Sequence, residues 1–207
     1  MSNTLFPIFL KTEHLRFLIV GGGNVGLEKA ETLLRQNPNI KIKVVSKNFG
    51  EKFKDLLNDH PHIQYFEKDF EEADINDIDI VIAATDDKVL HQKIKYISNS
   101  KNILVNAADQ PDLCDFYLGS IIKKGNLKIA VSTNGKSPTI AKRLREVLDG
   151  TIPEEIDDIL NNLEHLRTHL SGDFKNKLEV LNKITKILSD HPENIESYLA
   201  YISQQEQ

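Results

Sequence analysis

The chain has little cysteine, no long apolar run and no excess of positive charge. Its single cysteine, Cys114, excludes an intrachain disulfide and a cysteine-based metal cluster, and it is typical of a cytoplasmic protein. There is no run of 18 or more apolar residues, and the N-terminus lacks a basic region followed by an apolar one. We therefore predict neither a membrane span nor a signal peptide. The formal net charge of −5 gives no reason to expect a nucleic-acid partner.

As far as about residue 108, the 207-residue chain alternates short apolar runs with helical patterns. The runs lie at residues 17–20, 40–45, 63–66, 78–84 and 103–105. The helical patterns lie at residues 24–36, 49–59 and 88–98. Continuous runs rich in Val and Ile are typical of a parallel sheet that is buried on both faces. The alternation predicts a Rossmann-like, doubly wound α/β domain.

A glycine-rich turn joins the first apolar run to the first helical pattern. It consists of Gly21, Gly22, Gly23, Asn24, Val25 and Gly26. In a dinucleotide-binding turn, Gly21 would permit the tight bend, Gly23 the approach of a pyrophosphate and Gly26 the close packing of the helix. The N–H groups at the helix N-terminus would hold the pyrophosphate. We predict a bound dinucleotide, and a purely structural strand-to-helix turn is the alternative.

The pattern changes after residue 109. Two strand-like runs at residues 116–122 and 127–133 are joined by a short Gly/Asn connection, which predicts a hairpin. A turn cluster ends at Pro138 and predicts a helix over residues 139–148. Beyond Gly150, isoleucine and leucine recur at helical spacing, so the remainder is predicted to be all-helical.

Six segments occur in a fixed order and spacing. They are LFPIFL at residues 5–10, LIVGGG at 18–23, IAATDD at 82–87, VNAAD at 105–109, LCDF at 113–116 and AVSTNGKSP at 130–138. Together they resemble the precorrin-2 dehydrogenase/sirohydrochlorin ferrochelatase family of siroheme synthesis. The resemblance implies oxidation of precorrin-2 to sirohydrochlorin with NAD+, followed in some members by insertion of Fe2+ into that product. It also implies a homodimer in which the region after the nucleotide domain is exchanged.

The resemblance and the patterns together predict three domains. A dinucleotide-binding domain would span residues 1–113, and a dimerisation and substrate-loop region would span residues 114–150. A small helical C-terminal domain would span residues 151–207.

Asp109 is the main candidate for the chemistry. It follows the fifth apolar run and is therefore expected at the carboxyl end of a strand, where open α/β sheets bind ligands. An aspartate before Gln-Pro is by itself typical of a turn. The resemblance implies that Asp109 is the family's catalytic aspartate, acting as general base or orienting the substrate.

The predicted cofactor residues beyond the glycine turn follow the second and fourth strands. The second strand ends without a carboxylate at Ser46, Lys47 and Asn48, and Ser46 and Lys47 alone would favour the 2′-phosphate of NADP. The resemblance implies NAD instead, with these three residues near the ribose, and a solvated turn is the alternative. For Thr85 and Asp86 it implies a place beside the nicotinamide half of the cofactor. Helix capping is the competing explanation for the acidic pair Asp86 and Asp87.

Substrate binding is predicted in the loop that precedes the helix at residues 139–148. Precorrin-2 carries many carboxylates, which hydroxyl groups, a lysine and helix N–H groups could bind. The candidates are Ser132, Thr133, Lys136 and Ser137. The alternative is a capped helix with a solvated basic face.

No metal site is predicted. His165 and His169 are four residues apart on a helical stretch, but no carboxylate or cysteine pattern completes a ligand set.

Two other functions fit parts of the sequence. A non-catalytic, nucleotide-sensing regulatory module would need the glycine turn but neither Asp109 nor the loop at residues 132–138. A different oxidoreductase with a smaller substrate would need a polar cluster in the helical tail. The first helix of that tail shows mainly a leucine and isoleucine stripe, which is typical of packing or subunit contact.

Overall fold

The computed structural model describes residues 3–154, 156–169, 182 and 185. The chain divides into two compact units, Met1–Leu118 and Gly119–Gln207. The leucines and isoleucines of a second stripe at residues 178–188, which also predicts a helix, lie outside the described residues. Within the described part of the chain, no helix combines the length and the apolar character that a membrane crossing requires.

The first unit contains a five-stranded parallel sheet with helices between its strands. The strands are β1 (Arg16–Gly22), β2 (Lys41–Phe49), β3 (Gln64–Glu67), β4 (Ile80–Ala83) and β5 (Leu104–Ala107). The helices are α1 (Asn24–Gln36), α2 (Glu51–Asp59) and α3 (Lys88–Ser100). Short 3₁₀ helices lie at Thr12–His14, Glu72–Ile75 and Pro111–Leu113. The predicted Rossmann-like fold is confirmed.

Side chains alternate across the sheet and form two separate cores. Phe17 and Ile19 of β1 pack with residues of α1 and α2, whereas Leu18 and Val20 pack with residues of α3. Successive residues of a strand point to opposite faces, so a continuous apolar run supplies both cores. This is why β1 reads as an unbroken apolar run.

The strand order is β3-β2-β1-β4-β5. The chain therefore runs outward from β1 in one direction through β2 and β3, and then in the other direction through β4 and β5. In open parallel sheets, ligands bind at the carboxyl ends of the strands where the order reverses. The reversal lies between β1 and β4, directly beside the glycine turn.

Two predicted elements differ in detail from the observed ones. The third strand was expected to be buried on both faces, but β3 is an exposed edge strand, and Tyr65 and Phe66 are 54% and 44% exposed. An edge strand has a neighbour on one side only, so its side chains are less covered. The helix predicted from residue 49 begins at Glu51, because β2 continues to Phe49 through an irregularity that pairs Phe49 with Gly22.

The described part of the second unit contains the predicted hairpin and two helices. Strands β6 (Ser120–Lys124) and β7 (Leu127–Val131) pair in antiparallel fashion, followed by α4 (Pro138–Thr151) and α5 (Ile156–His169). The buried ammonium group of Lys124 donates to the Ile152 carbonyl oxygen and to Glu154, both at 2.6 Å. Asp157 accepts a 2.6 Å hydrogen bond from the backbone N–H of Asn126. These contacts fix the start of α5 against the hairpin.

Asp74 is a buried carboxylate in the connection between β3 and β4. It lies 3.1 Å from the ammonium of Lys68 and 3.4 Å from that of Lys43, and it accepts the backbone N–H of Glu71 at 2.9 Å. Burial by itself would raise the pKa of Asp74. The Glu71 N–H and the ammonium groups of Lys68 and Lys43 outweigh burial, and the net pKa is lowered.

Because the folded state lowers this pKa, the ionised Asp74 stabilises the fold above the unfolded pKa of about 3.9, and this contribution disappears as the pH falls through the lower folded pKa. We expect Asp74→Asn to reduce the free energy of unfolding at pH 7 by about 2 kcal/mol, because Lys43 and Lys68 lose their buried partner. Urea unfolding followed by circular dichroism at several pH values measures this loss, which should shrink toward pH 3.

Asp77→Asn is the matched control. Asp77 is an exposed aspartate that lies 3.6 Å from Arg16. We expect Asp77→Asn to reduce the free energy of unfolding by less than about 0.5 kcal/mol at each pH, because exposed ion pairs contribute little. A loss for Asp74→Asn that does not depend on pH would contradict the role assigned to its charge.

Candidate functional site

The glycine turn lies in close contact with the end of β4. Gly21 has a φ of 123°, and a Cβ atom on it would lie 2.4 Å from the carbonyl oxygen of Ala84. A Cβ on Gly26 would lie 2.0 Å from the carbonyl oxygen of Gly21. A side chain at either position would push these backbone segments apart. The two glycines therefore let α1, β1 and β4 meet at the point where the strand order reverses.

The end of β2 holds the other side of the turn. The backbone N–H of Gly22 donates to the Ser46 hydroxyl at 2.8 Å, and that hydroxyl donates to the Asn48 carbonyl oxygen at 2.7 Å. The N–H of Gly50 donates to the Gly22 carbonyl oxygen at 3.0 Å. The hydroxyl of Ser46 is thus engaged in fixing the turn, and Asn48 takes part through its backbone.

Gly23 and the start of α1 form an open cradle. A Cβ on Gly23 would meet no atom of the described chain within 4 Å. The first N–H groups of any helix have no partner inside it, and among the described residues no side chain caps α1. Asn24 and Val25, the first residues of α1, are exposed. This combination of space, free donors and the positive end of a helix dipole fits the pyrophosphate of a dinucleotide.

Lys47 is paired with a carboxylate. Its ammonium lies 2.7 Å from the Asp69 carboxylate, and both side chains are exposed. The hydrogen bond from Lys47 to Asp69 raises the pKa of the lysine. Asp69 follows β3, so a carboxylate absent from the end of β2 is supplied from the neighbouring strand.

Asp109 stands at the carboxyl end of β5. The backbone N–H of Ala108 donates to the Ala83 carbonyl oxygen at 2.9 Å, which holds this segment beside the end of β4. Asp109 is exposed and has a φ of 57°. A left-handed backbone strains an aspartate less than most residues, because its short polar side chain can bond locally, and Asp77, Asn102 and Asn134 adopt it too.

Thr85 and Asp86 follow β4 at the same edge of the sheet. The side chain of Asp87 caps α3 by accepting the N–H of Leu90 at 2.9 Å, so the capping expected of this acidic pair comes from Asp87. Thr85 donates through its backbone N–H to Nε2 of His91 at 3.3 Å, and its hydroxyl lies 3.1 Å from the same atom.

His91 is a residue of the site that sequence reasoning missed. It is 1% exposed, and Nδ1 lies 3.0 Å from the side-chain amide of Gln110, next to Asp109. Burial lowers its pKa, although Asp87, Asp109 and Asp86 act in the opposite direction. The signal was present in the sequence: His91 is three residues before Ile94 and six before Ile97, on the buried face of α3.

The predicted substrate loop belongs to the second unit and is internally bonded. Thr133 accepts the backbone N–H of Ser137 at 3.1 Å, and Ser137 caps α4 by accepting the N–H of Ile140 at 3.2 Å. The Ser132 hydroxyl accepts the N–H of Asn134 at 3.2 Å. These three hydroxyls shape the loop, whereas the Lys136 side chain is exposed.

The other reactive side chains show no cluster. In the described ranges, no three His, Cys, Asp or Glu residues are grouped to hold a metal ion. His165 is exposed, and the side chain of His169 lies outside the described part. The thiol of Cys114 contacts the backbone of Ala107 and Gln110, and burial raises its pKa, so it packs as a small apolar group.

Family models match both units. Residues 8–120 match a family described as putative NAD(P)-binding, and residues 124–149 match one described as sirohaem biosynthesis protein central.

Individual relatives agree with these families. The siroheme synthase of Psychrobacter cryohalolentis is 36% identical over 176 residues, which are 85% of this chain and 32% of the relative. The siroheme synthase of Tolumonas auensis is 34% identical over 173 residues, 84% of this chain and 34% of the relative. The chain thus spans about a third of the length of these curated relatives.

A solved structure titled SirC, precorrin-2 dehydrogenase, shares the fold. Its TM-score is 0.71 at 21% identity, and the match covers 97% of this chain and 100% of the other. The predicted family and the predicted NAD(P)-binding domain are confirmed by these matches. The chain belongs to the family of NAD(P)-binding siroheme biosynthesis proteins.

Proposed function

We propose that this chain is a cytoplasmic, homodimeric enzyme that oxidises precorrin-2 to sirohydrochlorin with NAD+. The observation that carries the proposal is the position of Asp109: an exposed carboxylate on a left-handed backbone, at the same sheet edge as the glycine turn. The siroheme synthase relatives and the precorrin-2 dehydrogenase fold neighbour supply the substrate class. A nucleotide sensor would have no need for a carboxylate held at this edge.

The glycine turn and α1 would hold the cofactor. Gly23 leaves room for the pyrophosphate, and the N–H groups of Asn24 and Val25 would donate to it. NAD+ supplies a hydride acceptor when it is bound. The protein would bind the cofactor and orient it. Thr85 and Asp86 would border its nicotinamide half.

Asp109 would take the proton. Dehydrogenation removes a hydride and a proton from the tetrapyrrole, and an exposed carboxylate next to the cofactor edge can accept the proton and release it to water.

The pair of Lys47 and Asp69 favours NAD over NADP. An unpaired Lys47 would attract a 2′-phosphate, but its ammonium is already bonded to Asp69 at 2.7 Å. The Asp69 carboxylate would repel a 2′-phosphate while it could accept from a ribose hydroxyl. Ser46, Lys47 and Asn48 therefore remain our predicted ribose neighbours, with Asp69 added.

The second unit would bind substrate carboxylates and the partner subunit. The exposed Lys136 and Lys142 and the half-buried Arg145 would contact carboxylates, whereas Arg143 pairs with Glu146 at 2.7 Å. An apolar stripe on the same helix is exposed and supports a homodimer; it consists of Ile140, Leu144 and Val147. Residues 114–150 thus keep their proposed dimerisation and substrate roles.

Gly23→Ala tests the cofactor site. Its φ of −85° and the open space around it allow alanine without strain, so the free energy of unfolding should stay within about 0.5 kcal/mol of the wild type. The added methyl group would occupy the approach of the pyrophosphate and weaken NAD+ binding by about tenfold or more, measured by calorimetry. Gly150→Ala, also in open space, is the control and should leave binding unchanged. Unaltered NAD+ affinity of Gly23→Ala would remove the turn from the cofactor site.

Asp69→Asn tests cofactor choice. Freeing the Lys47 ammonium and removing a negative charge should increase NADP+ affinity about tenfold, while NAD+ affinity changes little because the asparagine oxygen can still accept from a ribose hydroxyl. Adding Lys47→Ala to this variant should cancel the gain in NADP+ affinity. Asp59→Asn makes the same change of net charge at another exposed aspartate and serves as control. An equal increase of NADP+ affinity in Asp59→Asn would mean that net charge alone is responsible.

Asp109→Asn tests the chemistry. Asparagine tolerates the left-handed backbone, so the fold and NAD+ binding should persist. Loss of the base should slow the formation of sirohydrochlorin from precorrin-2 by about 10²-fold or more, followed by absorbance, whereas Asp112→Asn should behave as wild type. Wild-type protein that binds NAD+ without turnover would favour the nucleotide-sensing alternative. Fe2+ supplied as substrate with sirohydrochlorin in the same cuvette tests metal insertion.

A further inference from the structure

His91 connects the two segments that the proposed function uses. Its Nε2 atom contacts Thr85 at the end of β4, and its Nδ1 atom contacts Gln110 at the end of β5. The ring is buried and belongs to a third element, α3. A single side chain thus spans the two strand ends that lie side by side in the sheet.

The contacts with Thr85 favour one placement of the ring proton. The Thr85 hydroxyl, 3.1 Å from Nε2, can donate or accept, whereas the backbone N–H at 3.3 Å can only donate and requires a lone pair on Nε2. A neutral imidazole then carries its proton on Nδ1, and that N–H needs an acceptor. The structure places the amide nitrogen of Gln110 3.0 Å from Nδ1, so this tautomer requires the amide to be turned over so that its oxygen faces the ring.

We propose that His91, as the neutral Nδ1–H tautomer, is a positioning residue that ties Thr85 to Gln110. It would thereby fix the position of Thr85, which borders the cofactor, relative to Asp109. This inference rests on the proposed function, because it assigns a consequence for NAD+ binding and turnover. His91 itself touches neither substrate nor cofactor in this assignment and acts only through its two neighbours.

Protonation would break the connection. A proton on Nε2 would oppose the N–H of Thr85, so one hydrogen bond would be lost. The carboxylates that act on the ring are Asp86 and Asp87, which precede α3, and Asp109, which follows β5; they favour the protonated form. Burial outweighs them and keeps the pKa below its ordinary value near 6.5, so the neutral form prevails at pH 7 and is lost only as the pH falls through that lower pKa.

Two amide substitutions separate the two contacts. A glutamine amide reaches about as far as Nε2, so His91→Gln keeps an acceptor for Thr85 and loses the contact with Gln110. An asparagine amide reaches about as far as Nδ1, so His91→Asn keeps a donor for Gln110 and loses Thr85. We expect His91→Gln to lower kcat about tenfold at nearly unchanged NAD+ affinity, and His91→Asn to weaken NAD+ affinity about tenfold at a smaller change in kcat. His62→Gln and His62→Asn, at an exposed histidine, are the controls.

Nitrogen-15 NMR of the wild-type chain reports the protonation of the His91 ring directly and does not depend on enzyme activity. The His91 signal is the one that disappears in His91→Gln, and it should show a proton on Nδ1 and none on Nε2 at pH 7. The wild-type NAD+ affinity should also fall at acid pH together with this signal's titration, a step that His91→Gln should lack.

The opposite results overturn the inference. A proton on Nε2, or parallel losses of kcat and NAD+ affinity in both variants that follow their melting temperatures, would show a purely structural histidine. Wild-type protein that fails to bind NAD+ would overturn the proposed function instead, and the nitrogen spectrum would then decide the His91 connection alone.

Discussion

The close approach of the glycine turn to the end of β4 is the contact on which the site depends. Gly21 lies so near the Ala84 carbonyl that no side chain fits between them, and Gly26 lies equally near Gly21. The N–H of Ala84 bonds to Val20, and that of Ala108 bonds to Ala83. The ends of β1, β4 and β5 are thereby held in one row, and the start of α1 is brought to their edge.

Most polar side chains around this edge serve the backbone. Ser46 fixes the turn and Asp87 caps α3. Among the described residues of the first unit, the backbone donors of α1 and the exposed carboxylate of Asp109 remain for a ligand. A site of this kind gains its precision from rigid backbone, because backbone donors lose little conformational freedom when they bind.

Charge pairing changes what a residue type implies. Lys47 considered alone suggests a phosphate site, yet its partner Asp69 comes from a different strand end. Asp74 is similar: burial by itself would favour the neutral acid, but two lysines and a backbone N–H keep it ionised. In both cases the sign of the effect follows from the neighbours and not from the residue.

The sequence by itself determined the fold class, the glycine turn and the family, because these depend on local order: apolar runs, helical spacing and short motifs leave a direct trace along the chain. It also located Asp109 at a strand end, since a residue after a buried run can lie nowhere else. Only the tertiary structure decided that β3 is an exposed edge, that Asp69 neutralises Lys47 and that His91 joins Thr85 to Gln110. Those features arise between segments that are distant in sequence, and their geometry depends on how strands are ordered in the sheet, which no local pattern records.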